Sequence, residues 1–188
     1  NPEAYEFYLK AKHKYEKRKN IDDIEIIREL LTKAIYMDDK LLEAEKLLAD
    51  SYLVSQDSKL ALKIYTNCLK KAKLHNQRII EADLLLDIAK IYKDWGKTDK
   101  LLNLSKESLD VAKAINYQIG IANGYEMVAM SMNIQNIVSD NIIYSENEIK
   151  SKTEKAYKIK EKLNNEYEIA NFLLNNKYDN MINEKDYK

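Results

Sequence analysis

Large and small apolar residues recur along this chain at a fixed spacing. Each of three alanines, at positions 49, 89 and 129, follows a large aliphatic residue and stands three positions before a tyrosine or a methionine. Spacings of three and four residues place side chains on one face of an α-helix, and a small residue there lets a second helix approach closely. The pattern therefore predicts paired helices that repeat every 40 residues.

A second series marks the turns between helices. The pattern Asn-x-x-(Ile/Tyr)-x-x-Ala begins at Asn76, Asn116 and Asn164, so the first interval is 40 residues and the second is 48. Asparagine tolerates the left-handed backbone conformation that ends many helices, and the apolar residues after it begin the next helix. We expect a turn between two helices at each match.

The longer second interval indicates eight extra residues, which fall most naturally in the segment 134–147. Its apolar residues are Ile137, Val138, Ile142, Ile143 and Tyr144. Because an insertion that is merely tolerated is usually polar, we expect these side chains to pack onto the helical array. Contact with a partner is the alternative.

Residues typical of helix starts fit the same register. Asn1 followed by Pro2 combines an N-cap residue with proline at the first helical position. Asp22 and Ser145 each stand three residues before a glutamate, which is the spacing of a capping box. The sequence thus predicts a single domain of about nine helices. The predicted helix pairs are residues 1–39, 40–77, 78–117 and 118–165, followed by a capping helix at 166–178 and a tail to 188.

These features resemble the tetratricopeptide repeat family, whose unit is a helix pair with small and large residues at set positions. Ala61, Tyr65 and Cys68 match the small, aromatic and small residues of the second helix, and Gly96 matches the family's turn glycine. Glu45 departs from the pattern, because the family has a large apolar residue at that position. The resemblance implies an all-α fold, a right-handed α-solenoid of antiparallel helix pairs, in a variant with a 40-residue repeat.

The composition narrows the class of partner. Three Gly and one Pro leave few residues for tight hairpins or phosphate-binding loops. Because 31 basic and 31 acidic residues cancel, no overall field attracts nucleic acid or an anionic membrane, and neither is expected as a partner. No apolar run approaches the roughly 20 residues that a membrane-spanning helix needs, so membrane insertion is not expected.

The cellular compartment is inferred from the single cysteine. Cys68 alone cannot form an internal disulfide framework, and a cytoplasmic location is the expectation. The chain starts at Asn1 without a methionine, so we expect a fragment or a processed form, from which a signal peptide could have been removed.

The sequence predicts neither catalysis nor a metal site nor a cofactor. His13 and His75 lack the spacing of metal-binding helices and are expected at the surface or in turns. Cys68 is expected to be a buried, unreactive thiol rather than a nucleophile.

Two other patterns have structural explanations. Gly120 and Gly124 have the spacing of a membrane helix-dimer motif, but their polar neighbours favour close packing against the preceding helix. The basic run at residues 10–19 is interpreted as a solvated helix face in preference to a phosphate or nucleic-acid contact.

In the family that the chain resembles, the first helices of successive pairs line a concave groove. By register, the resemblance implies twelve groove residues. They are Tyr5, Tyr8, Lys12, Glu43, Lys46, Asp50, Asp83, Leu86, Lys90, Asn123, Glu126 and Met130. These positions do not supply the basic and amide set of the family's two-carboxylate clamp, so an acidic chaperone tail is not expected as the ligand.

Two functions agree with these expectations. The first is a scaffold without catalytic activity that holds an extended or helical segment of a partner protein or peptide in the groove. The second is a regulatory or self-associating module of a larger signalling protein, which includes a homodimer. Residues 1–10 look like the start of repeat arrays that follow bacterial nucleotide cyclase or kinase domains.

Overall fold

The chain folds into α-helices throughout the part that the structure describes. The structure is a computed structural model, and it describes residues 1–18, 20, 22–139 and 141–163. Within these ranges there are eight helices and no strand: α1 (Pro2–Glu16), α2 (Asp22–Met37), α3 (Leu42–Val54), α4 (Ser58–Leu74), α5 (Arg78–Asp94), α6 (Thr98–Ala114), α7 (Gln118–Ser139) and α8 (Glu146–Lys162). The all-α prediction is confirmed, and the predicted capping helix at 166–178 lies outside the described residues.

The helices form two layers. Each helix packs against the next one along the chain, from α1 against α2 to α7 against α8. In addition, α1 contacts α3, α3 contacts α5 and α5 contacts α7, whereas over the described ranges no comparable contact joins successive even-numbered helices. Because helices in a curved array approach most closely on its concave side, the odd-numbered helices form the inner layer of an α-solenoid.

Left-handed residues end four of the helices at regular intervals. They are Gln56, Asn76, Gly96 and Asn116, with φ angles of 60°, 55°, 66° and 55°. After each one, a backbone N–H donates to a carbonyl five residues earlier, as Gln77 N does to Ala72 O at 2.9 Å, which is the Schellman motif. The turns predicted at Asn76 and Asn116 are confirmed, and the one at Asn164 lies outside the described residues.

Side-chain caps begin several helices. Asn1 Oδ1 accepts hydrogen bonds from the first turn of α1, and Ser145 Oγ accepts one from α8 at 3.3 Å, so both predicted N-caps are confirmed. The prediction for Asp22 is wrong. Asn20 Oδ1 instead accepts from Asp23 N at 3.1 Å, because Asp22 is already part of the helix and the capping position lies before it.

Small residues lie where the helices touch. The three alanines that define the 40-residue spacing are at most 5% exposed, as expected for positions between paired helices. On α4, Ala61, Tyr65 and Cys68 are buried together in one core cluster. The alternation of small and large residues therefore places small side chains at the helix contacts, as the sequence pattern predicts.

Glu45, which departs from the family pattern, is stabilised in its buried position by an ion pair. Glu45 is 6% exposed, and its carboxylate accepts a hydrogen bond from Lys71 Nζ on the neighbouring α4. Glu81 on α5 is similarly buried, with Arg78 Nη1 at 2.6 Å from its carboxylate. A buried acid is tolerated when a base is paired with it, so the repeat continues through both positions.

Glycines bring α7 close to α6. A Cβ atom on Gly124 would lie 2.9 Å from Leu109 Cβ and 3.0 Å from Leu109 Cα, both closer than ordinary contacts. A Cβ atom on Gly120 would also approach Ala112 Cβ, at 3.0 Å. The prediction of close packing against the preceding helix is confirmed.

The extra residues of the fourth pair lengthen its first helix. α7 has 22 residues, whereas α5 has 17. Gln135 Nε2 donates to Asp99 Oδ1 in the first turn of α6 at 2.9 Å, so the residues after Gln135 pass the end of that helix. The expectation that the apolar residues of this segment pack onto the array is therefore wrong for four of them. These are Ile137, Val138, Ile142 and Ile143, which are between 54% and 85% exposed. Tyr144 differs, since it packs against the core.

Candidate functional site

The twelve predicted groove residues all lie on the inner-layer helices. By register they form three rows that cross α1, α3, α5 and α7. The first row is Tyr5, Glu43, Asp83 and Asn123, the second is Tyr8, Lys46, Leu86 and Glu126, and the third is Lys12, Asp50, Lys90 and Met130. We call the surface carrying these rows the inner surface.

Leu86 does not line an open groove, although the register predicts it as a groove residue. Its side chain is 5% exposed and packs with Ala89, Leu101 and Met127 from the same and neighbouring helices. The expectation is wrong because α7 packs against α5 at this point, and the residue becomes part of the contact between them.

A largely buried carboxylate that the sequence does not predict joins two of the rows. Asp87 Oδ1 lies 3.0 Å from Lys90 Nζ, and Asp87 Oδ2 lies 2.9 Å from Lys46 Nζ on α3. Burial would raise the pKa of Asp87, but the two ammonium groups outweigh it and hold this pKa below its usual value. Burial would likewise lower the pKa of Lys46, but Asp87 and Asp50 raise it. Both lysines therefore form ion pairs with Asp87.

Asp50 is tied to the outer layer. The hydroxyl of the buried Tyr65 on α4 donates a hydrogen bond to Asp50 Oδ1, and Lys46 Nζ lies 3.8 Å from Asp50 Oδ2. Burial raises the pKa of Asp50, although Lys46 and the Tyr65 hydroxyl oppose this shift. Burial and the neighbouring Asp50 also raise the pKa of Tyr65, so it remains a neutral donor.

Asp83 is an acid of the inner surface whose pKa is raised by burial. Burial raises the pKa of its carboxyl to about 6, although Lys46 and a hydrogen bond from Tyr117 act to lower this pKa. Over the described ranges, no ion pair joins Asp83 or Glu43 to a lysine or an arginine. The first row thus carries two acids without a bound base.

Tyrosines line the α1 side of the surface. The rings of Tyr5 and Tyr8 are 5.7 Å apart, and Tyr5 is 49% exposed. Burial and the adjacent Glu43 raise the pKa of Tyr8, while burial and Asp50 raise that of Tyr15. The rings of Tyr8 and Tyr15 therefore lie in electrostatic range of the acids on α3.

The α7 end of the surface is less open. Glu126 Oε2 binds Lys160 Nζ of α8 at 2.8 Å, and Lys160 is only 4% exposed. Met130 is half-buried against the cluster that contains Leu86. Asn123 is also half-buried.

Sequence reasoning missed two residues that organise the site, Asp87 and Tyr117. Asp87 lies three residues before Lys90, a spacing that allows an ion pair on one helix. Its second partner, Lys46, lies on another repeat, so this contact could not be predicted from a local sequence pattern. Tyr117 immediately precedes α7, and its hydrogen bond to Asp83 likewise depends on how the pairs stack.

The described residues do not assemble other recognisable chemistry. Within them, no three His, Cys, Asp or Glu side chains are grouped so as to hold a metal ion. His13 and His75 are exposed, as expected. Cys68 is buried, also as expected, and burial raises the pKa of its thiol to about 12. Among the described helices, none is long and apolar enough to cross a membrane.

Comparison with solved structures defines the class of fold as a tetratricopeptide-like helical repeat. Aspartyl phosphate phosphatase F from Bacillus subtilis superposes with a TM-score of 0.68 at 13% sequence identity, over 90% of this chain. MamA protein is matched over 86% of this chain at 14% identity, but its TM-score of 0.36 is too low to support an argument.

The likeness to the phosphatase covers only part of that protein. The match spans 43% of its chain, and at 13% identity it shows the fold alone. No protein-family model and no curated protein matches the sequence.

Proposed function

We propose that the inner surface binds a segment of a partner protein or peptide, without catalysis. The observation that carries this proposal is the set of polar and aromatic side chains that four adjacent helices present on one side of the array. An extended or helical segment laid across α1, α3, α5 and α7 would contact several repeats at once. The repeat fold supports the proposal because such arrays offer long continuous surfaces.

The chemistry of the surface suits binding better than reaction. Lys46 and Lys90 are both bound to Asp87, and the Tyr65 hydroxyl is bound to Asp50. Groups held in such pairs position and stabilise the surface, and they are not the free, activated groups that act as a general base or a nucleophile. Tyr5 and Met130 at the two ends provide aromatic and apolar contact area.

The test uses an array of short synthetic peptides as the probe. Peptides that bind the folded protein are re-measured in solution with Tyr5→Ala and Met130→Glu variants. Each has a matched control on the outer layer, Tyr36→Ala on α2 and Leu74→Glu on α4, whose side chains are 92% and 79% exposed. We expect the inner-surface variants to weaken binding about tenfold or more, which corresponds to roughly 1.4 kcal/mol, and the controls to leave it unchanged. Binding that depends on the outer-layer residues and not on the inner ones would refute the proposal.

Self-association is a second candidate, favoured by one observation. The extension of α7 and the following loop expose Val138 by 66% and Ile142 by 85%, beside the similarly exposed Ile137 and Ile143. Contiguous exposed apolar side chains are typical of interaction sites. Light scattering over a concentration series would detect a dimer, and an Ile142→Ser variant should abolish it. A monomer at all concentrations would remove this candidate.

A further inference from the structure

The first row of the inner surface is acidic and contains no base. Glu43, Asp83 and Asn123 occupy equivalent positions of α3, α5 and α7, 40 residues apart, and Tyr5 begins the row on α1. The row therefore offers two carboxylates, an amide and a phenol. The second and third rows differ from it, because they carry Lys12, Lys46 and Lys90.

The nearby lysines are not available to neutralise this row. Lys46 Nζ lies 2.9 Å from Asp87 Oδ2, and Lys90 Nζ lies 3.0 Å from Asp87 Oδ1. In the described part of the chain, Lys46 forms ion pairs with Asp50 and Asp87 only. Glu43 and Asp83 form no ion pair there. Two negative charges are thus left for a cation from outside.

Asp83 shows the cost of leaving such a charge without a directly bound cation. It is faced by Lys46 from α3, by Asp87 and Lys90 on its own helix, and by Tyr117 at the start of the α7 segment. Despite the lysines and the Tyr117 hydrogen bond, burial raises the pKa of Asp83 to about 6. A cation placed beside this carboxylate would replace lost solvation, and the partly buried setting would screen the attraction only weakly.

Aromatic rings complete the surroundings of Glu43. Tyr8 lies in electrostatic range of both Glu43 and Tyr5, and its ring is 5.7 Å from that of Tyr5. Aromatic rings and a carboxylate in the same neighbourhood suit a guanidinium or an ammonium group, because both the π system and the negative charge attract a cation. A metal ion fits less well, since the described residues contain no group of three ligands.

We propose that the first row recognises an arginine or lysine side chain of the bound partner segment. This inference rests on the proposed function of the inner surface and adds the chemistry that the surface selects. Charge complementarity is its basis, since two carboxylates in this row form no ion pair in the described part of the chain, whereas Lys46 and Lys90 of the next rows are both paired with Asp87.

The experiment uses N-acetylated synthetic peptides, so that a free amino terminus cannot supply the cation. Peptides retained by the wild-type protein are compared with versions in which each Arg or Lys is replaced by Gln. We expect the retained set to be enriched in Arg and Lys, and the Gln version to bind about tenfold more weakly or worse. Asp83→Asn should weaken the basic peptide to a similar extent and should not further weaken its Gln version. Glu29→Gln, an exposed acid on the outer α2, is the control and should change nothing.

The dependence on pH gives an independent readout. Affinity of the wild type for the basic peptide should fall between about pH 8 and about pH 5, because Asp83 becomes protonated in that range. The Asp83→Asn variant should lack this part of the dependence, while circular dichroism checks that it is folded.

The outcomes separate this inference from the proposed function. Binding peptides that contain no basic residue, but that still depend on Tyr5 and Met130, would overturn the basic-side-chain inference and leave the proposed function standing. Basic peptides whose affinity is the same for wild type and Asp83→Asn would also overturn it. An absence of any binding on the inner surface would overturn both.

Discussion

The contacts of Arg28 lead to a prediction about how the first two helix pairs are joined. Arg28 on α2 donates to Ser51 Oγ at 3.1 Å, to Ser51 O at 2.9 Å and to Ser55 Oγ at 2.8 Å, so it bridges to the end of α3. Its guanidinium also lies 3.9 Å from the centre of the Tyr52 ring. Replacing Arg28 with Ala would remove all four interactions.

The expected loss follows from these contacts. Each hydrogen bond contributes about 0.5–1.5 kcal/mol net, and the cation–π contact contributes about 0.5–1 kcal/mol. Because the site is partly open and water can replace some of the donors, we expect Arg28→Ala to lower the free energy of unfolding by about 2–3 kcal/mol. For a chain of this size, that corresponds to a fall in Tm of roughly 5–10 °C.

Thermal and urea unfolding followed by circular dichroism measure the effect. Arg28→Lys keeps the charge but cannot form the planar fork, so it should recover less than half of the loss. Arg18→Ala is the control, because Arg18 is exposed and also lies over a tyrosine ring, 4.1 Å from the centre of Tyr15. If Arg28→Ala stays within about 0.5 kcal/mol of wild type, or if lysine restores full stability, the bridge does not contribute as argued.

Three further substitutions test the fold and the site. Gly124→Ala should lower Tm despite the higher helix propensity of alanine, because the new Cβ would meet Leu109 at 2.9 Å; an increase in Tm would show that α6 and α7 can separate freely. Ala89→Phe should cost about 1–3 kcal/mol or more in urea unfolding through overpacking, and an unchanged midpoint would contradict its complete burial. Asp83→Asn should raise stability by about 1–2 kcal/mol above pH 7, after allowance for partial exposure, because the ionised acid is disfavoured in the folded state. Since the folded pKa of about 6 lies above the unfolded value, wild-type stability falls as pH rises from about 4 to about 6; the advantage of the variant should therefore vanish below about pH 4, and a constant difference would contradict the argument.

The repeat could be predicted from the sequence because it depends on local rules. Asn76 and Asn116 end helices through an intrinsic tolerance of positive φ, and the turns they form recur with those at Gln56 and Gly96. The small residues mark helix contacts through side-chain size alone. These properties belong to single residues and short segments, so they are visible before any tertiary contact is known.

The site was predicted less completely, as two neighbouring residues on α5 show. Leu86 was assigned to the groove but is buried, whereas Asp87 was not assigned and binds two groove lysines. Consecutive residues on a helix differ in direction by about 100°, so a modest change in the rotation of α5 against α7 decides which of them is covered. The register of a repeat does not specify that rotation.

The sequence by itself determined the helices, their pairing and the positions at which the chain turns, because spacing and backbone preference act within a few residues. Only the tertiary structure decided which charges meet. The ion pairs of Asp87 with Lys46 and of Glu45 with Lys71 join different helices, and their formation leaves Glu43 and Asp83 without a base. Whether a charged side chain is paired or available depends on distances of a few ångströms between separate helices, and those distances are set by the packing of the whole array.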